Sequence, residues 1–136
     1  PPNLSEKFAM GLYESDHGLE GVCLTDLALA AYSGGALTLM QPAMIQRELR
    51  GRELPAHLVE SIGEFFNLLA RLFNASEGRR VKLKEVAVSP SPVIPEAKPF
   101  LAMAVHQVHM VVNIPDFGRG KLSALVGLPE TEEPPR

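Results

Sequence analysis

The stretch from Leu54 to Asn74 constrains the fold more than any other part of the chain. Leu58, Ile62, Phe65, Phe66, Leu69, Leu72 and Phe73 recur at helical spacing, which makes one apolar stripe on a long α-helix that points into a core. Glu60, Glu64 and Asn67 follow one another at intervals of four and three residues, so they share a line on the opposite face. The core therefore holds the helix while acids and an amide face outward. Asparagine is a poor helix former, and nothing in the pattern gives Asn67 a packing role. The helix is expected to start near Glu53 or Leu54, with Pro55 in its first turn, and to break at Asn74-Ala75-Ser76-Glu77-Gly78.

The remaining chain supplies something for this helix to pack on. With 136 residues, 46% of them apolar, it is long enough for one domain with a real interior. Arg80 to Val88 alternates like a strand, and His106 to Ile114 reads as another. Pro115 to Gly120 is a turn, and Lys121 to Val126 returns as a strand. Between them Pro90, Pro92, Pro95 and Pro99 mark an extended loop that no central strand can cross. Pro42 begins a short helix that Gly51 ends. Residues 1–18 read as a terminal arm or a short helix over Asn3 to Tyr13, and residues 129–136 as a polar tail expected to be disordered. Leu19 to Met40 admits two readings. Thr25-Asp26 caps a helix from Leu27 to Tyr32 that Gly34 stops, or Val22 to Ala31 and Ala36 to Met40 are strands of a hairpin turning at Ser33-Gly34-Gly35. The expected class is α+β: an antiparallel or mixed sheet with two packed helices in one domain over residues 19–128.

Charge and composition exclude several functions. The net charge is −3, which argues against a nucleic-acid binder. The clusters Arg47, Arg50, Arg52 and Arg79, Arg80, Lys82, Lys84 read as solvated faces. Leu27 to Ile45 carries no charge, but Ser33, Gly34, Gly35, Thr38, Gln41 and Pro42 interrupt it, which argues against a membrane span. No signal peptide is read at the start, and the single cysteine, Cys23, is expected in the core of a cytoplasmic protein.

Most chemical motifs fail on geometry. His106 and His109 are three apart in a strand, so they face opposite sides and cannot share a metal. His17 and His57 have no ligand partner at useful spacing. Asp116-Phe117-Gly118 is a turn rather than part of a kinase. No Gly-x-Ser-x-Gly and no Cys/His pair with a base is present.

One constellation remains. Ile62-Gly63-Glu64, then Asn67 three residues on, with Glu60 one turn earlier and Pro90 beyond the next strand, resembles the chemotaxis phosphatases of the CheC/CheX/FliY type. Those proteins carry an Asp or Ser, a Glu and an Asn along one helix, and a Pro after a spacer. The interval from Asn67 to Pro90 agrees, and the order hairpin, helix, helix, strand, strand is similar over Gly21 to Val126. The resemblance favours the hairpin reading of residues 22–40 and implies a CheX-like α/β sandwich. It also implies hydrolysis of the phospho-aspartate of a response-regulator receiver domain. An acyl phosphate is already reactive, so the task is to hold a water in line, and a carboxamide offers both donor and acceptor without ionising. Asn67 would orient the water, and Glu64 would bond the receiver's lysine. The resemblance implies no cofactor of the chain's own, because Mg²⁺ would come with the receiver.

The chain departs from the family at two positions. Glu60 stands where the family has Asp or Ser. Arg71, on the same helix face, stands where a small residue is common. Arg71 obstructs docking, pairs with Glu64 and Asn67, or meets the receiver's acidic pocket. Alternatives to the enzyme are a module that binds a receiver or motility partner through Glu60, Arg71 and Pro90 without chemistry, and a dimerisation domain in which an edge strand such as Lys121 to Val126 pairs with its copy.

Overall fold

The computed structural model describes residues 7–51, 53–74 and 80–128. Its elements are β1 (Phe8–Ser15), β2 (Gly18–Asp26), α1 (Leu27–Leu37), α2 (Pro42–Leu49), α3 (Ala56–Asn74), β3 (Lys82–Val88), α4 (Lys98–Met103), β4 (His106–Ile114) and β5 (Gly118–Val126), with a 3-10 turn at Pro95–Ala97 before α4. The strands form one five-stranded sheet in the order β3-β1-β2-β5-β4, and every pairing is antiparallel. The fold is α+β, with four α-helices among the described residues rather than the two expected.

Alternation along β1 builds two cores at once. Ala9 and Tyr13 join Cys23, Leu122 and the helical residues Leu29, Ile45, Leu58, Ile62 and Phe66 on one side of the sheet. Phe8, Met10 and Leu12 join Val22, Leu24, Leu125, Ile94 and Phe100 on the other. Thus α1, α2 and α3 cover one face, and the 3-10 turn with α4 covers the other. Residues 8–15 are therefore a strand between two others, not a terminal arm or helix, and the domain begins before residue 19. Phe-Ala-Met-Gly-Leu-Tyr is apolar on both faces, so it lacks the alternation that marks a half-exposed strand. The proline segment is likewise not wholly extended. Pro95 and Pro99 lie in the first turns of the 3-10 turn and α4, where a missing N–H does no harm.

The Ser33-Gly34-Gly35 segment is not a hairpin turn. Residues 27–37 form a single helix, and Gly34 lies inside it. A Cβ on Gly34 would stand 2.8 Å from the carbonyl of Ser61 and the nitrogen of Ile62. The glycine thus lets the backbone of α1 rest on the backbone of α3. Gly35 does the same for the Ile45 side chain of α2. Asp26 starts the helix: its Oδ1 accepts from the Leu29 N–H at 2.8 Å and its Oδ2 from the Lys121 N–H at 2.9 Å. One carboxylate therefore caps α1 and ties it to β5.

The helix α3 follows the expected stripe. Leu58, Ile62, Phe65, Phe66 and Leu69 are buried, each contributing roughly 1.5–3 kcal/mol. The side chains of Leu72 and Phe73 lie outside the described residues, as do Arg52, Arg79, residues 1–6 and the tail at 129–136. Pro55 precedes α3, and its carbonyl accepts from Leu58 and Val59. In the middle of α3, the Tyr13 hydroxyl donates to the Phe66 carbonyl at 2.7 Å, joining the helix to β1. Asn74 closes the far end, with its side-chain amide bonded to both the N–H and the carbonyl of Val81.

The strand order moves the sheet edge. Lys121 to Val126 lies in β5, which is paired on both sides, by β2 and by β4. The edges are β3 and β4. Sequence spacing alone does not show strand order, because β5 reaches β2 from far along the chain.

The two interior glycines of α1 and α3 predict opposite outcomes for the same substitution. Gly34→Ala is expected to destabilise by about 2–3 kcal/mol, because backbone cannot yield to the added methyl. At Gly63 in α3 a Cβ meets nothing within 4 Å, so Gly63→Ala is expected to stabilise by about 0.5–1 kcal/mol. Urea denaturation of both variants checks the pair.

Candidate functional site

The outward line of α3 carries the candidate residues. Glu60, Glu64, Asn67 and Arg71 are all exposed. Among the described residues none of these four side chains makes a hydrogen bond or ion pair. Arg71 therefore does not bond the Asn67 amide or pair with Glu64.

Helix α1 supplies the second wall. It crosses α3 at Gly34, and its last turn ends beside the Asn67 face. Leu37, Thr38, Glu64, Asn67, Leu68 and Arg71 together line an open groove of about 280 Å³. Thr38 fixes that wall: its hydroxyl lies 3.0 Å from the Gly34 carbonyl and 3.2 Å from Ser61 Oγ. The structure thus brings Glu64, Asn67 and Arg71 into one groove. Glu60 lies on the same helix face one turn away and is not among the lining residues. Pro90 is exposed beyond the end of β3, follows a cis Ser89-Pro90 bond, and does not line the groove either.

Sequence reasoning missed Leu37, Thr38 and Leu68. Leu37 and Thr38 were hidden by the hairpin reading of α1. Leu68 is the apolar neighbour of Asn67, and it falls outside the buried stripe by helical angle, which is a signal that the sequence did contain.

The chemistry available is that of neutral and charged polar groups on a rigid helix. The carboxamide donates and accepts, the carboxylate receives a cation, and the guanidinium receives an anion. No described residue supplies an activated thiol: burial pushes the Cys23 thiol up to about 12, so it stays protonated at neutral pH. Tyr13, also buried, is held far above the usual phenol range, with burial the main cause and Cys23 adding to it. Among the described residues no group of three or more His, Cys, Asp or Glu stands together as a metal site, and no helix is long and apolar enough to cross a membrane.

Comparison of the chain with protein-family profiles, with curated proteins and with solved structures found no match.

Proposed function

We propose that this chain is a divergent CheX-like domain that hydrolyses the phospho-aspartate of a response-regulator receiver, with Asn67 and Glu64 as the working residues. One observation carries the reading. Glu64, Asn67 and Arg71 are exposed and unpaired on a helix that the core fixes, and they share one groove. An amide that neither packs nor caps is a fold-neutral choice at best, whereas orienting a water is a task that suits it.

In this reading α3 enters the cleft around the acyl phosphate. The Asn67 amide holds a water opposite the acyl oxygen. Water oxygen bonds to phosphorus, the bond from phosphorus to the aspartyl oxygen breaks, and the aspartate leaves as a carboxylate. The water's protons pass to phosphate and solvent. Glu64 pairs with the receiver's lysine and seats the helix, while Arg71 faces the phosphoryl oxygens or the carboxylates around them. The Mg²⁺ ion belongs to the receiver. Catalysis is positioning, so the rigidity that Tyr13 gives to Phe66, the residue before Asn67, is part of the mechanism.

A second reading concerns assembly and is favoured by β4. Seven of its nine residues are exposed, and none of His106 to Ile114 is an acid, a lysine or an arginine. Val108, Met110 and Val111 are 51%, 45% and 65% exposed. The other edge, β3, shows Lys82, Lys84 and Glu85 and a register shift against β1, the usual protections against edge pairing. Pairing of β4 with its copy across a two-fold axis would place Val and Met side chains against each other with no like charges opposed. Binding of a receiver without hydrolysis remains the non-catalytic form of the first reading.

Two measurements test these readings. With a radiolabelled phospho-receiver, the protein is expected to speed phosphate loss. Asn67→Ala should remove at least about 90% of that acceleration while stability stays level or rises by about 0.5 kcal/mol, since alanine is the better helix former. Undiminished acceleration in the variant would sink the enzyme reading. For assembly, sedimentation velocity should show a concentration-dependent dimer that Val111→Lys weakens by about tenfold or more. A dimer indifferent to that change would rule out β4 as the interface.

A further inference from the structure

We infer that Leu39 is the anchor of a protein-docking surface beside the groove, and that the partner it meets is a folded domain bearing an aspartyl phosphate. This rests on the receiver reading above and adds the residue that gives affinity rather than chemistry.

The chain leaves α1 by a closed cap. The Leu39 N–H donates to the Ala36 carbonyl at 3.3 Å and the Met40 N–H to the Gly35 carbonyl at 2.9 Å. In such a cap the residue after the helix adopts a left-handed conformation, and glycine is the usual occupant. Here it is Leu39, with φ of 59°. A branched side chain is strained in that region, and burial does not compensate, because Leu39 is 91% exposed. On both counts the free protein would be better served by Gly or Asn. The leucine is also held rigidly, between two capping hydrogen bonds and the Thr38 hydroxyl bonded to Gly34, so a partner that covers it orders little chain.

Its surroundings select the partner. Leu37 and Leu68, 47% and 41% exposed, line the groove with Glu64, Asn67 and Arg71. Leu39 is not itself a lining residue, but it directly follows Thr38, which is. Apolar contacts thus adjoin an unpaired guanidinium and an unpaired carboxylate. The complementary surface is apolar, with an anionic centre and a cation beside it. A phosphorylated receiver, with its acyl phosphate and lysine, has that arrangement. A strictly basic or wholly apolar partner would leave Arg71 or Glu64 unmatched.

The test uses the whole chain and a purified receiver domain, with beryllofluoride as the phosphoryl mimic for binding and the phosphorylated receiver for turnover. Leu39→Asn keeps the left-handed cap and removes the apolar contact. It is expected to leave the melting temperature level or raised, to weaken binding about tenfold or more, and to leave the rate at saturating receiver unchanged. Asn67→Ala is expected to bind within about twofold of wild type while losing the acceleration of phosphate loss, with its melting temperature level or raised. If Leu39→Asn binds within about twofold of wild type, the anchor is overturned while the enzyme reading stands. If the wild type binds the beryllofluoride form but never speeds phosphate loss, the enzyme reading fails and weakened binding by Leu39→Asn upholds the anchor. If the wild type does not bind the receiver, or if Leu39→Asn instead abolishes self-association, the proposed occupant is wrong.

Discussion

The hydrogen bond from Tyr13 to the Phe66 carbonyl is the interaction on which the rest depends. It runs from a wholly buried phenol on the strand between β2 and β3 to the middle turn of α3. Phe66 precedes Asn67, so the bond holds the helix at the turn that presents the amide. Gly34 sets the other coordinate by letting α1 lie backbone to backbone on α3 at Ser61 and Ile62. Together a strand and a helix fix α3 from two sides, and its outward line needs no contacts of its own to stay in place.

That division of labour explains the composition of the surface around the groove. Residues that serve the fold, such as Tyr13, Phe66 and Ile62, are buried. Several residues around the groove serve it poorly. Asn67 lowers helix propensity, Gly63 sits mid-helix with open space beside it, and Leu39 strains a cap without being buried. Stability is spread over many contacts, so a protein tolerates a few such choices. Asn67 lines the groove, and Gly63 and Leu39 each adjoin a lining residue in sequence, which supports the proposal that function lies there.

Legibility of the fold in the sequence followed the strength of local patterns. The helix α3 was legible because five of its apolar positions recur on a single buried stripe. The β4–β5 hairpin was legible from its central turn. The outward line Glu60, Glu64, Asn67 and Arg71 followed from spacing alone. What failed had a common cause: the deciding contacts were distant in sequence. Gly34 and Gly35 look like a turn until α3 and α2 are seen against them. Residues 8–15 look formless because the strand is apolar on both faces. The exposed edge was assigned to Lys121–Val126 because strand order is a long-range property, and β2 occupies that flank. The groove itself was half legible, since α3 was read correctly and its partner wall on α1 was not.

The central claim is that the Asn67 carboxamide meets the phosphoryl group of a receiver. Nitrogen-15 resonance of the asparagine side-chain amides observes that group directly. On titration with a beryllofluoride-loaded receiver, the account predicts that the Asn67 side-chain signal shifts, with the Glu64 and Leu68 backbone amides beside it, and that the metal-free, unloaded receiver shifts them far less. An Asn67 signal that stays fixed while the β4 amides move would contradict it, and would make partner binding a property of the sheet edge instead.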